Sequence, residues 1–577
     1  MTDIRRRKLE GAVWIPLRAS DLSEEGRLGY AGFKSEFYGV GTVAIPTKSR
    51  EAASKLEWDD VGISHSHSAC VEGDSYIPCD VYDDAEFTGL HLVLEQRGNR
   101  EEHPEWYLHQ DFVIALSLRR EGDVWLRIEE GYIEVARLRK DKKGAPCLLE
   151  VRSSHLKDYL CARGMALFVT SYRRRTEAFE DASHVKWPNG TAAAKSATDR
   201  WQARISEIHE GGMPYGEEWA IFHTGRTDGQ NDVDVPEIGL DDESASETKT
   251  VRHTGRKLYS VTGELWRNEW IEPATASPLV RRDKTPPSVF FITDAEGKRE
   301  SAETLVHAGR WLWFRPDVMV LLAHRRGGSL GWHTKDTGNV RCSPSDGVHF
   351  GVNRLGLVNV YAKDIAMLPE WQQRIWSGHN VGPEGGVSEE LLASQARADP
   401  ADTQAPEEFL GPGLTTLNEL AKTNIGVRLI RDHREVSELI ARTHRFRATD
   451  KAGFFSLAKD LARLTADSFD AGEIQKVVQP PKDVKWGSLK SLENLLATQI
   501  HPRVAHQQLG PLFAIYDLRH GDAHLSGSDL TGAFKLLKID QNAPYVMQGY
   551  QLVFACVNCI YFVIEVVKQW KKEEGRQ

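Results

Sequence analysis

Cysteine is scarce: seven irregularly spaced residues in 577. That excludes a disulfide scaffold and suits a reducing compartment. There is no Walker A loop, no dinucleotide-binding glycine motif after a strand, no G-x-S-x-G and no H-E-x-x-H. Their absence argues against an ATP-driven enzyme, a dehydrogenase, a serine hydrolase of that type and a metalloprotease. The 48 glycines follow no period and no tandem repeat is visible, which disfavours fibres and solenoids. Long apolar runs are missing too. The most apolar stretch, Leu552–Ile564, has 13 residues and includes Asn558, short of the roughly 20 that span a bilayer. It reads as the middle of a buried helix. The N-terminal basic run lacks the apolar stretch of a signal peptide. The expectation is a cytoplasmic protein with no membrane partner.

Material for packed cores is ample: 40% hydrophobic residues, with 16 Trp, 15 Tyr and 20 Phe. The length calls for two to four domains. The net charge of −10 is unevenly spread. Residues 413–577 hold 22 Lys and Arg against 18 Asp and Glu, about +4, which leaves the front strongly acidic. A basic tail domain suits a phosphate-bearing partner; ordinary scatter explains it equally well.

The patterns predict an α+β multidomain chain: a mixed α/β N-terminal region, a β-rich middle domain and a C-terminal all-α bundle. In residues 1–185, Phe37–Pro46 reads as a strand, as does Leu90–Glu95. Two β-like runs meet at Gly131, and a helix from Ser153 stops near Gly164 ahead of a strand. This region is a candidate sensor or regulatory domain. Residues 186–385 carry short β-branched and aromatic runs separated by turns, with an acidic loop at 228–250. Trp219, Trp266, Trp270, Trp311, Trp313 and Trp332 lie here. They either stack on bases or, as such residues more often do, pack a core. A short helix follows Pro369, and residues 386–412 read as a linker with one helix capped by Ser388. In 413–577, Leu414/Leu417/Leu420, Phe454/Leu457/Leu461/Leu464 and Leu489/Leu492/Leu496 repeat at helical spacing, and a last helix spans about 543–572.

The strongest chemical signal is Leu509–Gly527, LGPLFAIYDLRHGDAHLSG. An amphipathic helix runs into Arg519, Gly521 permits a turn, and His524 follows. An Arg and a His with four residues between them, late in a helical bundle, resemble the R-x4-6-H motif of the HEPN superfamily, many of whose bacterial members are ribonucleases of phage defence or toxin systems. The resemblance covers only the last 165 residues or so. The same spacing recurs at Arg204–His209, Arg374–His379 and Arg428–His433, so context rather than spacing singles out this pair. The plain alternative is a polar helix end, with both side chains meeting loose carbonyls.

The resemblance implies a metal-independent endoribonuclease, a regulated toxic effector of abortive-infection defence, leaving 2′,3′-cyclic phosphate and 5′-OH ends. It implies no cofactor, an RNA substrate, and a phage-derived or protein trigger. His524 is the candidate acid/base, since histidine titrates near neutral pH. Arg519 is the candidate stabiliser of phosphorane charge, since its fork grips two phosphate oxygens. His520 and Asp522 are supporting candidates. Residues five apart on an unbroken helix point about 140° apart. Either Gly521 folds His524 back, or two chains pool their motifs, as HEPN dimers do; a homodimer or larger homo-oligomer is expected. The alternative to an enzyme is a dimerising scaffold or nucleic-acid-binding sensor.

Three weaker features remain. Arg428, Arg431, Arg434, Arg442 and Arg445 would share one face if Arg428–Arg447 were a helix, and would track an RNA backbone. A solvated face paired with Asp432, Glu435 and Glu438 is the favoured reading. His65, His67, Cys70 and Cys79 have metal-ligand types but lack a second ligand pair at zinc spacing, so no metal is expected. Cys556 and Cys559, in the most apolar helix, read as buried inert thiols.

Overall fold

The computed structural model describes residues 9, 11–62, 70–72, 75–96, 103–211, 218–223, 245–250, 255–431, 435–519 and 527–570. The chain divides into two compact units, Met1–Thr285 and Pro286–Gln577.

The first unit is built on a twelve-stranded sheet. Its strands are β1 (Trp14–Glu25), β2 (Lys34–Pro46), β3 (Val81–Asp83), β4 (Thr88–Leu90), β5 (Leu118–Glu121), β6 (Val124–Arg127), β7 (Ile133–Lys140), β8 (Pro146–Arg152), β9 (Met165–Phe179), β10 (Thr191–Lys195), β11 (Asp199–His209) and β12 (Lys257–Ile271). The main order is β10-β11-β12-β9-β2-β1-β8-β7-β6-β5; off this path β4 pairs with β2, and β3 pairs with β4. Every pairing is antiparallel, so one face can be polar where nothing covers it. Helices α1 (Trp58–Val61), α2 (Gln110–Ala115) and α3 (Ser153–Arg163) complete the layers.

Composition along β9 explains the covering. Its first half, ALFVT, is buried; its second half, SYRRRTEAF, is mostly half-exposed. On one face Leu167 and Val169 join Ile15, Leu17, Phe112, Leu156, Tyr159 and Leu160 in a core beneath α2 and α3. On the other, Phe168, Val43 and Ile45 pack with Leu56, Val61 and Phe87. Here α1 lies flush on β2 because Gly39 and Gly41 have no side chains: a Cβ at Gly41 would overlap the Val61 carbonyl, and one at Gly39 the Trp58 ring. Local signals behave as expected. Gly131 turns between β6 and β7 at φ +68°, and Gly164 ends α3 at φ +65°.

The border expected near residue 185 is crossed by the sheet. β9 pairs with β12 from Leu167 opposite Ile271 to Phe179 opposite Tyr259, and β11 continues beyond β12. Residues 186–271 therefore belong with the front. The expected acidic loop lies mostly outside the described residues, although Ala245–Thr250 pairs with Glu218–His223.

The second unit joins a six-stranded sheet to helices. The sheet comprises β13 (Trp311–Phe314), β14 (Ser329–Trp332), β15 (Thr337–Arg341), β16 (Gly347–Val352), β17 (Val358–Tyr361) and β18 (Asn380–Val381), in the order β14-β15-β16-β17-β13-β18. With it run α4 (Ala302–Leu305), α5 (Asp317–Ala323), α6 (Ala362–Ala366), α7 (Glu370–Ser377) and α8 (Glu389–Arg397), the last capped by Ser388 Oγ accepting the Leu391 N–H. The bundle comprises α9 (Glu407–Asn424), α10 (Val436–Arg442), α11 (Lys451–Leu464), α12 (Ala471–Gln475), α13 (Ser488–Leu496), α14 (Pro502–Leu518), α15 (Gly527–Leu537) and α16 (Tyr545–Lys568). The leucine repeats are its core: Leu414, Leu417, Leu457, Leu461, Leu492 and Leu496 all face inward.

α16 is longer than its 13-residue apolar centre, and by length and composition alone it is the one described helix that passes for a membrane span. It packs as a core helix instead: Leu552, Val553, Cys556, Ile560 and Val563 are buried, and Gly413 lets α9 lie against Tyr561. Cys556 and Cys559 are buried free thiols, as expected; burial pushes the Cys559 thiol up to about 12.

Sheet and bundle meet at Arg445. Its side chain is wholly buried and forks onto Glu407, Nε to Oε1 at 2.7 Å and Nη2 to Oε2 at 2.8 Å. Trp332 and Tyr550 cover the guanidinium, with centroids at 4.1 and 4.4 Å. Phe446 stacks on Trp332 and shares a core with Val546 and the sheet residues. Burial pushes the Glu407 carboxyl up, but the Arg445 charge overrides it and holds the group below the usual carboxylate range. The expected linker therefore ends early: Glu407 opens α9 and is anchored in the interior. Glu407→Gln leaves a buried guanidinium without its counter-charge, so urea denaturation should show a loss of about 3–5 kcal/mol; a loss under about 1 kcal/mol would contradict this role.

His444, beside that pair, is 3% exposed, and neither ring nitrogen has a hydrogen-bond partner among the described residues. Burial lowers its pKa to about 4, with Glu407 opposing and the charges of His324, Arg447 and Arg445 reinforcing. Between pH 6.5 and about 4 the unfolded chain takes up a proton that the folded chain excludes. Stability should thus fall on acidification across that window, by about 3 kcal/mol from this group. Denaturation at pH 7 and pH 4 should show a smaller drop for His444→Phe than for wild type.

Candidate functional site

Arg519 is the one member of the expected motif within the described residues; His520, Asp522 and His524 lie outside them. Its place follows from α14. His501 caps that helix by accepting the Arg503 N–H on its imidazole, and Pro502 supplies a preset φ at the first position. Leu509, Leu512, Ile515 and Leu518 form a fully buried stripe. The helix packs on α11, α13, α15 and α16. Arg519 follows as the C-cap, its N–H donating to the Ile515 carbonyl at 3.1 Å.

The guanidinium is held from two sides. It is paired with Asp467 and lies over the Tyr516 ring, 4.4 Å from the centroid. The Arg519 and Asp467 side chains are 22% and 33% exposed, so solvent and an anion can reach the pair. Asp467 is carried by the turn after α11. The Asp467 N–H donates to Ala462 O, Thr465 Oγ1 to Leu461 O, and Ser488 Oγ to Ala466 O. The neighbouring Phe469 bridges to Ile430. Arg519 is thus a pre-oriented cation at one end of the bundle, where α14 gives way to the connection toward α15. A cation so placed suits phosphate binding, with Asp467 as the internal stand-in for the anion.

Asp467 and Tyr516 as partners of Arg519 were not foreseen. Tyr516 lies one turn upstream and was legible from helical spacing; Asp467, 52 residues away, left no local trace.

The arginine-rich stretch does not form an RNA-tracking face. It is not one helix: residues 428–431 are non-helical, α10 covers only Val436–Arg442, and a 3-10 turn covers Arg445–Arg447. Arg428 is exposed, Arg431 pairs with Asp470 at 3.3 Å, Arg442 with Asp460 at 2.9 Å, and Arg445 is the buried anchor above. Arg434 lies outside the described residues. The break is physical: burying the Arg445 charge and Phe446 beside Trp332 requires the chain to leave α10 at Thr443.

Among the described residues no group of three His, Cys, Asp or Glu could hold a metal ion. Of the weak metal candidates, His65 and His67 lie outside those residues, Cys70 lies in a short hairpin, and Cys79 is a half-buried free thiol. No family model, curated protein or solved structure matches the chain.

Because the Arg519–Asp467 pair is partly solvated, Asp467→Ala should cost less than about 1 kcal/mol in thermal unfolding. A loss of several kcal/mol would make the pair a structural bridge rather than a ligand-ready cation.

Proposed function

We propose that this chain is a metal-independent endoribonuclease of HEPN type whose reactive end is the α14–α15 connection. One observation carries the reading: Arg519 of the R-x4-H sequence closes a bundle helix as a partly exposed guanidinium (22%) steadied by Tyr516 and Asp467. RNA brings its own nucleophile, the 2′-OH beside the scissile phosphate. His524 takes or returns the proton, and Arg519 exchanges Asp467 for the phosphate as negative charge builds in the transition state. His520 and Asp522 orient His524. The products carry 2′,3′-cyclic phosphate and 5′-OH ends, and no cofactor takes part.

The enzyme acts in the cytoplasm as a dimer that pools two motifs. A nuclease harmful to its own cell needs restraint, and residues far beyond those cleavage requires are available to supply it. A role as an effector in antiviral defence, released by a phage-derived or protein trigger, follows.

The test is cleavage of total RNA and tRNA in EDTA, with mapping of product ends. His524→Ala should reduce cleavage by about 10²–10⁴-fold and Arg519→Ala by about 10²–10³-fold, each with an unchanged far-ultraviolet circular dichroism spectrum. Cleavage that survives either substitution, or that leaves 3′-OH ends, would remove the reading.

A further inference from the structure

A second site lies in the first unit, on the distal half of its large sheet. Trp266, Asn268 and Trp270 alternate along β12 and so share one face, which places the two indoles about 13 Å apart. Each ring is half-buried and carries a guanidinium: Arg200 lies 4.4 Å from the Trp266 centroid and Arg50 5.1 Å from that of Trp270. Tyr172 continues the aromatic surface, 5.2 Å from Trp266 and 5.6 Å from Trp58.

The ground between the rings is organised. The Asn268 N–H donates to the Thr198 carbonyl at 2.9 Å, its amide donates to Leu56 O at 3.2 Å, and its amide oxygen accepts Thr170 Oγ1 at 2.8 Å. The hairpin turn between β10 and β11 is pinned there. Because β11 begins at Asp199, opposite Arg267, the remainder of β12 has a strand partner on one side only. A cleft of about 400 Å³ opens along that edge, lined by Trp270, Arg50, Lys157 and Thr198 among others. A smaller cleft lined by Trp58, Trp266, Arg200 and Lys195 adjoins it through the shared Thr198 and Asn268.

Charge and shape select the occupant. Five cations line the two clefts, Arg50, Lys157, Lys195, Arg200 and Arg267, against four carboxylates. Three of those carboxylates are engaged inside the protein, Asp199 by Arg267 at 2.7 Å, Glu272 by Arg50 at 2.5 Å and Glu269 by the Leu9 N–H at 3.0 Å, which leaves Lys157, Lys195 and Arg200 with no carboxylate closer than 3.9 Å among the described residues. Glu57 stands 3.9 Å from both Lys195 and Arg200, too far for a firm pair, and Lys157 forms no ion pair among the described residues. Rings in a line, cations beside them and a continuous groove are the parts that bind single-stranded nucleic acid. Bases stack on aromatic or guanidinium planes and phosphates meet the cations. Glu57 and Glu272 beside those cations would repel a bare phosphate chain but accept hydrogen bonds from 2′-hydroxyls, which favours RNA over DNA. We infer that this groove binds single-stranded RNA, with bases stacked at Trp266 and Trp270 and phosphates at Lys157, at Arg200 and, in exchange for Glu272, at Arg50. The site captures RNA by itself and does not rest on the cleavage chemistry of the bundle.

The experiment is fluorescence anisotropy with a labelled 12-nucleotide single-stranded RNA and the DNA of the same sequence, in EDTA at several salt concentrations. The full-length protein carries His524→Ala throughout, so that binding is read apart from cleavage. Trp266→Ala and Trp270→Ala should each weaken RNA binding roughly ten-fold, and Trp270→Phe should restore most of the loss. Lys157→Ala, on the surface of α3, should flatten the salt dependence by about one phosphate contact. DNA should bind more weakly than RNA. Absence of RNA binding, unchanged affinity in both Trp→Ala variants and Lys157→Ala, or equal affinity for DNA would each overturn the assignment. Because Trp270 also packs on Phe168, Lys157→Ala and Arg200→Ala keep the test valid should Trp270→Ala unfold the sheet.

Discussion

Arg445 and Glu407 lie 38 residues apart and meet in the interior of the second unit, where water cannot screen them. A charge there is tolerated only with its partner in place and its donors directed. That requirement constrains everything around it. α9 must begin at Glu407, the chain must break from α10 to bring Arg445 inward, and Trp332 of β14 and Tyr550 of α16 must close over the guanidinium. Asp336, 3.5 Å from Nη1, adds a longer-range contact from the turn after β14. A six-stranded sheet and a helical bundle that read as separate domains are joined by one buried fork and its aromatic walls.

The first unit follows another constraint, close approach without side chains. Gly39 and Gly41 let α1 lie flat on β2, and this carries Trp58 to the edge of the aromatic surface around Tyr172 and Trp266. The same strands are apolar where helices cover them and polar beyond. One sheet thus serves as core at one end and as an accessible face rich in rings and guanidinium groups at the other.

Under the two proposals, the candidate sites divide the chemistry of handling RNA. The groove of the first unit has rings and several cations spread along an edge, and the role proposed for it is adhesion. The end of α14 has the Arg519 guanidinium on a ring and a carboxylate, with histidines next in sequence; the role proposed for it is charge stabilisation at one phosphate. Extended binding needs many weak, salt-sensitive contacts spread along a strand, whereas cleavage needs one cation held to within a fraction of an ångström.

Local physics was legible in the sequence. Helical leucine spacing marked α11 and α13, and the β-branched and aromatic run Phe37–Pro46 marked β2. Gly131, Gly164 and Ser388 marked turns and a cap, because each of these depends on residues within a turn or two of one another. That an amphipathic helix runs into Arg519 was visible for the same reason. What tertiary structure alone decided involves partners far apart in the chain: the β9–β12 ladder that erased a border near 185, the Glu407 fork that made a buried anchor of an arginine expected on a solvated or RNA-tracking helix face, Asp467 beside Arg519, and the placing of Arg50 and Arg200 over two tryptophans of β12. Burial and charge pairing are settled by which surfaces meet after the chain closes on itself, and no local pattern in the chain encodes that meeting.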